Sequence, residues 1–170
     1  MRRKTALVFA FAALSGLALQ VTASDEDPFD KAIHTYGCAD YPKAFKMIVP
    51  LAEGGHALAQ YQMGLMLEQG QGTEANLAEA YKWYKKAADQ GIADAYFALG
   101  QIYYRGVAVP KDMIQAMVAF DVAARLGHSV SGDWRGMVSN VLNEEQLAKA
   151  QKAASELIAK RPAGALDSLR

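Results

Sequence analysis

The sequence contains a single cysteine, Cys38, among 170 residues. An internal disulfide needs two cysteines, so the folded chain must be held together by packing alone. An excess of charge is also lacking, since 18 basic residues balance 18 acidic ones. Because nucleic-acid-binding proteins usually carry a basic surplus that neutralises phosphates, this balance argues against nucleic acid as a partner.

Histidine is scarce, with three in the whole chain, and this limits metal chemistry. Ligands of one ion must converge to about 2 Å from it. His56 and His128 are separated by two periods of the repeat described below, which places them roughly 20 Å apart in a stack of helices. We therefore predict no metal site, and we expect both side chains to face solvent in loops.

Motifs for catalysis or cofactor binding are weak. Cys38 follows His34 by four residues, a spacing that could pair a thiol with a base, but no orienting third group is evident. The segment 70–72 contains two glycines without the strand or the lysine of a phosphate loop. The neighbouring carboxylates at 144–145 point apart at a helix start. We therefore predict no catalytic residue and no cofactor. The alternative to a non-catalytic protein is an envelope hydrolase acting on cell-wall material.

A long apolar run occurs once, at residues 6–19, behind a basic head at residues 2–4. Val21 and Ala23 then occupy the positions that a signal peptidase reads. The run is shorter than the ~20 apolar residues of a membrane span, so a secretory signal is favoured over a membrane anchor. We expect cleavage after Ala23 and export, to the periplasm in a two-membrane bacterium, without membrane insertion of the mature chain from Ser24.

The centre of the chain is an internal repeat. Residues 59–91 align with later residues at a shift of 36 positions. Small residues fall on small residues and an aromatic falls on an aromatic: Ala59 on Ala95, Gly64 on Gly100, Gly70 on Gly106, Ala80 on Ala116, Tyr84 on Phe120, Ala88 on Ala124 and Gly91 on Gly127. A fixed period of this length is typical of an α-solenoid, in which each repeat buries its apolar face against its neighbours.

The helix starts repeat with the same period. Asp40, Asn76 and Asp112 are 36 residues apart, and each has the side-chain oxygen that an N-cap needs. The residue types three positions later predict reciprocal capping boxes. The predicted boxes are Asn76 with Glu79, Asp112 with Gln115 and Asn143 with Gln146.

These signals predict an all-α solenoid of about eight helices in four antiparallel pairs. The predicted segments are a signal peptide at 1–23, a loose leader at 24–28, a partial repeat at 29–55, full repeats at 56–91 and 92–127, a degenerate capping repeat at 128–161 and a tail at 162–170. The first helix of the capping repeat is expected over 128–141.

Three glycines are expected inside first helices at one register, Gly64, Gly100 and Gly136. Glycine in a helix interior costs about 1 kcal/mol relative to alanine. A cost repeated at one register indicates that the neighbouring helix approaches closely there. We therefore predict a tight helix contact at all three positions.

Over residues 29–160 the pattern resembles the Sel-one-like repeat family, a relative of the tetratricopeptide repeat with a longer loop between its helices. Ala108 and Ala119 stand where the family has glycine and tryptophan, and Met63, Leu67, Thr73 and Asn76 are milder departures. The matching residues are Ala59, Gly64, Gly70, Gly72, Ala80, Trp83, Tyr84, Ala87, Ala88 and Gly91 in the first full repeat, and Ala95, Leu99, Gly100, Tyr103, Gly106, Val109, Asp112, Ala116, Ala123, Ala124 and Gly127 in the second.

This resemblance implies a right-handed superhelix that acts as a protein-interaction scaffold, adaptor or regulator, with a partner protein or peptide of unknown identity. In tetratricopeptide-like solenoids the first helix of each repeat lines the concave side. In these solenoids the residues three before, one after and four after the mid-helix glycine point into that side. Applied to this chain, the rule gives a predicted row of nine partner-binding residues: Tyr61, Leu65, Glu68, Phe97, Gln101, Tyr104, Asp133, Met137 and Asn140. Interhelix packing is an equally weighted use for Tyr61, Phe97 and Tyr104.

Overall fold

The computed structural model describes residues 27–160, and this part of the chain consists of eight α-helices without a strand. The predicted signal peptide, its cleavage site and the predicted tail lie outside the described residues. The helices are α1 Pro28–Gly37, α2 Tyr41–Glu53, α3 Ala57–Gln69, α4 Leu77–Asp89, α5 Ala93–Arg105, α6 Met113–Arg125, α7 Ser131–Ser139 and α8 Glu144–Ala159. No helix among them is long and apolar enough to cross a membrane.

The predicted N-caps are confirmed at all three periodic positions. The side chains of Asp40, Asn76 and Asp112 accept hydrogen bonds from backbone N–H groups three residues later, at 3.3, 3.0 and 3.0 Å. The reciprocal capping box forms between Asn143 and Gln146. At Asn76 and Asp112 the box prediction is wrong, because the reciprocal bond to the N-cap backbone does not form. The Glu79 carboxylate accepts a 2.6 Å bond from Lys82 instead.

Glycines end the first helices of both full repeats. Gly70 and Gly106 have φ of 68° and 71°, a left-handed conformation that glycine adopts without steric cost. In the loop that follows, Gly72 has φ of 75°, and Ala108 adopts φ of 63° at the equivalent place. The loop geometry therefore repeats even where the family glycine is replaced by alanine.

Two helix boundaries differ from the predictions. Helix α1 begins at Pro28, inside the segment predicted as a loose leader, because the Asp27 side chain caps it by accepting the Phe29 N–H at 2.7 Å. Helix α7 is shorter than the predicted 128–141. The His128 N–H bonds back to the Ala123 carbonyl, and the Ser131 hydroxyl bonds to the His128 ring, so residues 128–130 form a turn before the helix.

The mid-helix glycines explain how the helix pairs of the two full repeats close. A Cβ at Gly64 would lie 2.5 Å from Cε1 of Tyr84, and one at Gly100 would lie 2.6 Å from Cε1 of Phe120. Both rings are fully buried. The tight contact predicted at these two glycines is therefore confirmed: an aromatic ring of the second helix packs directly on the bare backbone of the first.

At Gly136 the same prediction is wrong. A Cβ there would meet nothing within 4 Å, and the residue is exposed. The position one period after Phe120 is Glu156, which is also exposed, so no ring is available to pack on this glycine.

Helix packing follows from this difference. Helices α1 and α2, α3 and α4, and α5 and α6 form three packed pairs, with α2 on α3 and α4 on α5 joining them into a solenoid. Helices α7 and α8 both pack against α6 rather than against each other. The fourth pair expected from the sequence, α7 with α8, is therefore open, because its two helices do not pack against each other.

Candidate functional site

The predicted row of nine residues spans three first helices. Its six members on α3 and α5 are half-buried, and its last three members, two on α7 and one at the C-cap of α7, are exposed. Leu65 packs against the hydrophobic core, and Gln101 is a half-buried polar residue on α5. The row therefore combines interhelix contacts at one end with open surface at the other.

On α3 the row is tied to the ring beneath it. The Tyr61 ring lies 5.8 Å from the Tyr84 ring, and Glu68 accepts a 2.6 Å hydrogen bond from the Tyr84 hydroxyl. Burial, helped by the nearby Asp94 charge, raises the pKa of Tyr61 to about 12. Burial and the bond to Glu68 likewise raise the pKa of Tyr84. Both phenols therefore keep their protons at neutral pH and act as hydrogen-bonding, apolar groups.

On α5 the row meets an aromatic cluster that sequence reasoning missed. The Phe97 ring stacks on His128 at 4.2 Å and contacts Phe120 at 5.7 Å and Trp134 at 6.0 Å. Tyr104 meets Trp134 edge to face at 5.6 Å. Phe97 therefore serves packing, as the alternative interpretation allowed. The sequence signal for the cluster was Trp134, the one large ring predicted on α7.

Open surface begins where Tyr104 meets α7. The Tyr104 hydroxyl lies 3.7 Å from the sulfur of Met137, so the structure brings together two residues of the predicted row. Beside them is a pocket of about 360 Å³. Its lining consists of Tyr104, Lys111, Met113, Met137, Val141, Leu142 and Gln146. Two of these apolar side chains are unusually exposed, Met137 at 50% and Val141 at 65%.

The remaining members of the row are exposed, Asp133 on α7 and Asn140 at its C-cap. Neither lines the pocket beside Tyr104. Val141, Leu142 and Gln146 do line it, yet they were not predicted, because they follow the end of α7 and lie in the loop and in α8. A rule based on first helices cannot find residues that a loop brings to the same surface.

His128 contradicts the expectation of a solvent-facing loop residue. Its side chain is only 14% exposed, because the ring stacks on Phe97. Its Nδ1 lies 2.7 Å from the Ser131 hydroxyl, and its Nε2 lies 3.4 Å from an Asp94 carboxylate oxygen. These are the residue types of a serine–histidine–aspartate triad. Ser131 is fully buried, however, so its hydroxyl has no side open to a substrate and the arrangement fixes the turn before α7.

The other histidines and the cysteine have local roles. His56 is exposed, and its Nδ1 caps α3 by accepting the Ala59 N–H at 3.1 Å. The Cys38 sulfur lies 4.0 Å from Nδ1 of His34, and both side chains are exposed. Within residues 27–160 no three His, Cys, Asp or Glu side chains are grouped so that they could hold a metal ion.

Comparison with protein families identifies two repeats in this chain. Residues 57–92 and 93–128 each match the Sel1 repeat. Curated relatives include chitin synthase regulatory factor 3 of Schizosaccharomyces pombe, 32% identical over 68 residues, and an uncharacterised Sel1-like repeat-containing protein of the same yeast, 40% identical over 55 residues. These alignments span 40% and 32% of this chain, but only 7% and 8% of the relatives.

Two solved structures share the architecture at higher coverage. The first is c5321, a protective antigen of uropathogenic Escherichia coli strains with an SLR fold. It has a TM-score of 0.76 and 27% identity over 84% of this chain and 31% of the antigen. The second is a Sel1 repeat protein from Oxalobacter formigenes, with a TM-score of 0.64 and 28% identity over 78% of this chain and 55% of that protein. The fold is therefore that of a helical solenoid.

Proposed function

Since this chain is a Sel1-like repeat protein, we propose that it is an exported, non-catalytic scaffold that binds a partner protein or peptide along the first helices of its repeats. Sel1 repeat proteins are generally protein-interaction scaffolds. One relative is named a chitin synthase regulatory factor, a name that describes a regulator. A regulatory or adaptor role in the envelope is the corresponding proposal for this chain.

The observation that carries the proposal is the exposed apolar surface around Met137 and Val141. Apolar side chains grouped at the surface and rimmed by polar ones are typical of interaction sites. Tyr104 contributes an aromatic ring, and Lys111 lies 5.3 Å from the centre of that ring at the polar edge. A pocket of about 360 Å³ beside them falls within the usual size range of ligand pockets, which suits an apolar anchor side chain of a partner.

The alternative, an envelope hydrolase, would need an acid, a base or a nucleophile converging on one accessible pocket. The buried Ser131 of the triad-like arrangement does not meet that need. The pocket beside Tyr104 is lined by one basic residue, one amide and apolar or phenolic side chains, a composition suited to binding. The proposal therefore assigns no catalytic residue.

The export part of the proposal rests on residues 1–23. We expect the protein purified from the periplasm of its source to begin at Ser24, because the apolar run and the Val21 and Ala23 positions fit signal-peptidase cleavage. N-terminal sequencing of the fractionated protein checks this. A membrane-embedded product that retains Met1 would contradict it.

The binding part is tested on the surface of α5 and α7. A photo-crosslinking residue placed at Gln101 in the source cells should form covalent adducts with a partner protein, identified by mass spectrometry. Met137→Glu should then abolish the adduct, because a charge in the apolar surface must be desolvated on binding. It should leave the helical melting curve unchanged, because Met137 is half exposed.

The matched control is Leu77→Glu, which changes an exposed apolar residue on α4, outside the row. It should leave the adduct intact. Equal loss in the two variants would show that a general surface property, rather than the row, controls binding. Adducts that form only when the crosslinking residue is placed in a second helix, and not at Gln101, would contradict the proposed surface.

A further inference from the structure

The open fourth helix pair leaves a cleft of about 750 Å³ between α6, α7 and α8. Gly136, which lacks a packing partner, lies on its wall. The other lining residues are Met117, Asp121, Arg125, Arg135, Ser139, Leu147, Ala148, Gln151, Lys152 and Ser155. None of them belongs to the predicted row, so this cleft is distinct from the surface proposed above.

The repeat places a smaller version of this cleft one period earlier. A pocket of about 250 Å³ is lined by residues of α4, α5 and α6 and by Leu157 of α8, and six of its positions recur 36 residues later in the large cleft. The six pairs are Lys85 and Asp121, Asp89 and Arg125, Leu99 and Arg135, Tyr103 and Ser139, Gln115 and Gln151, and Ala119 and Ser155. The two are therefore the same groove in successive repeats, with different walls.

The difference in volume between the two grooves follows from the side chains that fill them. In the earlier repeat the Tyr103 ring meets the Tyr81 ring edge to face at 5.9 Å, and their hydroxyls are 2.8 Å apart. One period later these two positions hold Ser139 and Met117, which are smaller. Without the tyrosine pair, and without a ring on Gly136, the groove stays open.

The two grooves also differ in the polarity of their lining. Asp121, whose side chain is only 3% exposed, accepts hydrogen bonds from Nε of Arg125 at 2.9 Å and from Nη1 of Arg135 at 3.0 Å. The two arginine side chains are 40% and 46% exposed. Each carries about five N–H donors, more than these bonds use. The buried carboxylate thus holds two arginines in fixed positions at the edge of the cleft.

The charge balance of the lining is positive. Lys152 adds a third basic group, and Asp121 is the one acidic residue among the lining residues. Ser155, which accepts a 3.3 Å bond from Arg125, and Ser139 supply hydroxyls, while Leu147 and Ala148 supply apolar surface. Fixed guanidinium groups match the planar, bidentate geometry of carboxylates and phosphates.

We propose that the cleft between α6, α7 and α8 binds a small organic anion that bears a carboxylate or phosphate group on a partly apolar body. The volume is within the range of small-molecule pockets. The anion replaces solvent at Arg125, Arg135 and Lys152, and its apolar part covers Leu147 and Ala148. The proposal is independent of any protein partner on the row.

The test is a titration of the isotope-labelled protein, followed by NMR, with inorganic phosphate in one arm and succinate in the other. Saturable shifts of backbone resonances in α6, α7 and α8 are expected with at least one of the two anions. Tighter binding of phosphate assigns a phosphate ester as the ligand class, and tighter binding of succinate assigns a carboxylate. Failure of both anions to saturate these resonances overturns the proposal.

Three variants locate the site. Arg135→Gln should weaken the favoured anion roughly tenfold or more, as expected for the loss of a charge-assisted hydrogen bond. Lys152→Gln should weaken binding without affecting folding, because Lys152 is exposed. Gly136→Leu should block the cleft while the chain stays folded, because the added side chain enters space with nothing within 4 Å of its Cβ.

The control is Lys82→Gln, which removes an exposed charge on α4 and should leave the affinity unchanged. If Gly136→Leu and Lys152→Gln bind the anion as the unmodified protein does, the site lies elsewhere and the proposal is wrong. Binding of a protein partner to the row should be unaffected by these variants. The anion proposal and the proposal of a partner on the row can therefore be contradicted independently.

Discussion

Replacing Gly100 by alanine should lower the free energy of unfolding by about 2–3 kcal/mol, a large loss for a single methyl group. The added carbon would lie 2.6 Å from Cε1 of Phe120, whose ring is fully buried and cannot move aside without disturbing its neighbours. Overpacking of this kind typically costs 1–3 kcal/mol. Urea denaturation followed by circular dichroism measures the change.

The chain supplies a matched control at the same register. Gly136→Ala makes the same chemical change in α7, where nothing lies within 4 Å of the new carbon. Because alanine favours a helix interior by about 1 kcal/mol over glycine, this variant should be neutral or more stable than the parent. Equal destabilisation by the two variants would show that helix propensity, and not contact with a ring, decides the effect.

Phe120→Ala should destabilise the protein by about 3–5 kcal/mol, the usual range for removing a buried aromatic side chain. The ring contacts Trp134 at 5.4 Å and Phe97 at 5.7 Å, so its loss leaves a cavity between α5, α6 and α7. Thermal and urea unfolding of the purified variant give the value. The aromatic cluster beside the row should loosen with it.

The control for this variant is Glu156→Ala, one period later in the sequence. Glu156 is exposed on α8, and surface substitutions of this kind change stability by about 0.5 kcal/mol or less. If Glu156→Ala lowered the stability as much as Phe120→Ala does, α8 would pack as the second helices of the earlier repeats do, and the last repeat would not be open.

The solenoid could be predicted from the sequence because its determinants are local and periodic. Asp40, Asn76 and Asp112 mark helix starts by their own side chains, and Gly70 and Gly106 mark helix ends by a conformation that other residues rarely adopt. Each signal acts within one turn of backbone, so it can be identified without knowing what the helix packs against.

The open fourth pair was not predicted, although its cause is in the sequence. Gly136 keeps the register of Gly64 and Gly100, and the prediction followed the glycine alone. The contact needs two partners, and the second partner is Glu156 where the earlier repeats have Tyr84 and Phe120. A periodic pattern has predictive value for packing when both sides of the contact are checked at the same period.

The functional sites show the same difference between features that the sequence predicts and features that depend on helix packing. Tyr104 and Met137 could be placed on one surface from the resemblance to tetratricopeptide-like solenoids, and the structure brings them into contact. The anion cleft could not be found in this way, because it depends on Asp121 holding arginines from two different helices. Such a constellation is set by the packing of α6 and α7, which spacing along one helix does not encode.

The central claim is that each of the two full repeats depends on an aromatic ring packed on a helix glycine, and that the last repeat is open because it lacks the ring. A double-mutant cycle on Gly100 and Phe120 tests it most directly. If the claim is correct, Gly100→Ala costs nothing further once Phe120→Ala has removed the ring, which gives a coupling energy of about 2 kcal/mol by the overpacking estimate. Additivity of the two substitutions within about 0.5 kcal/mol would contradict it.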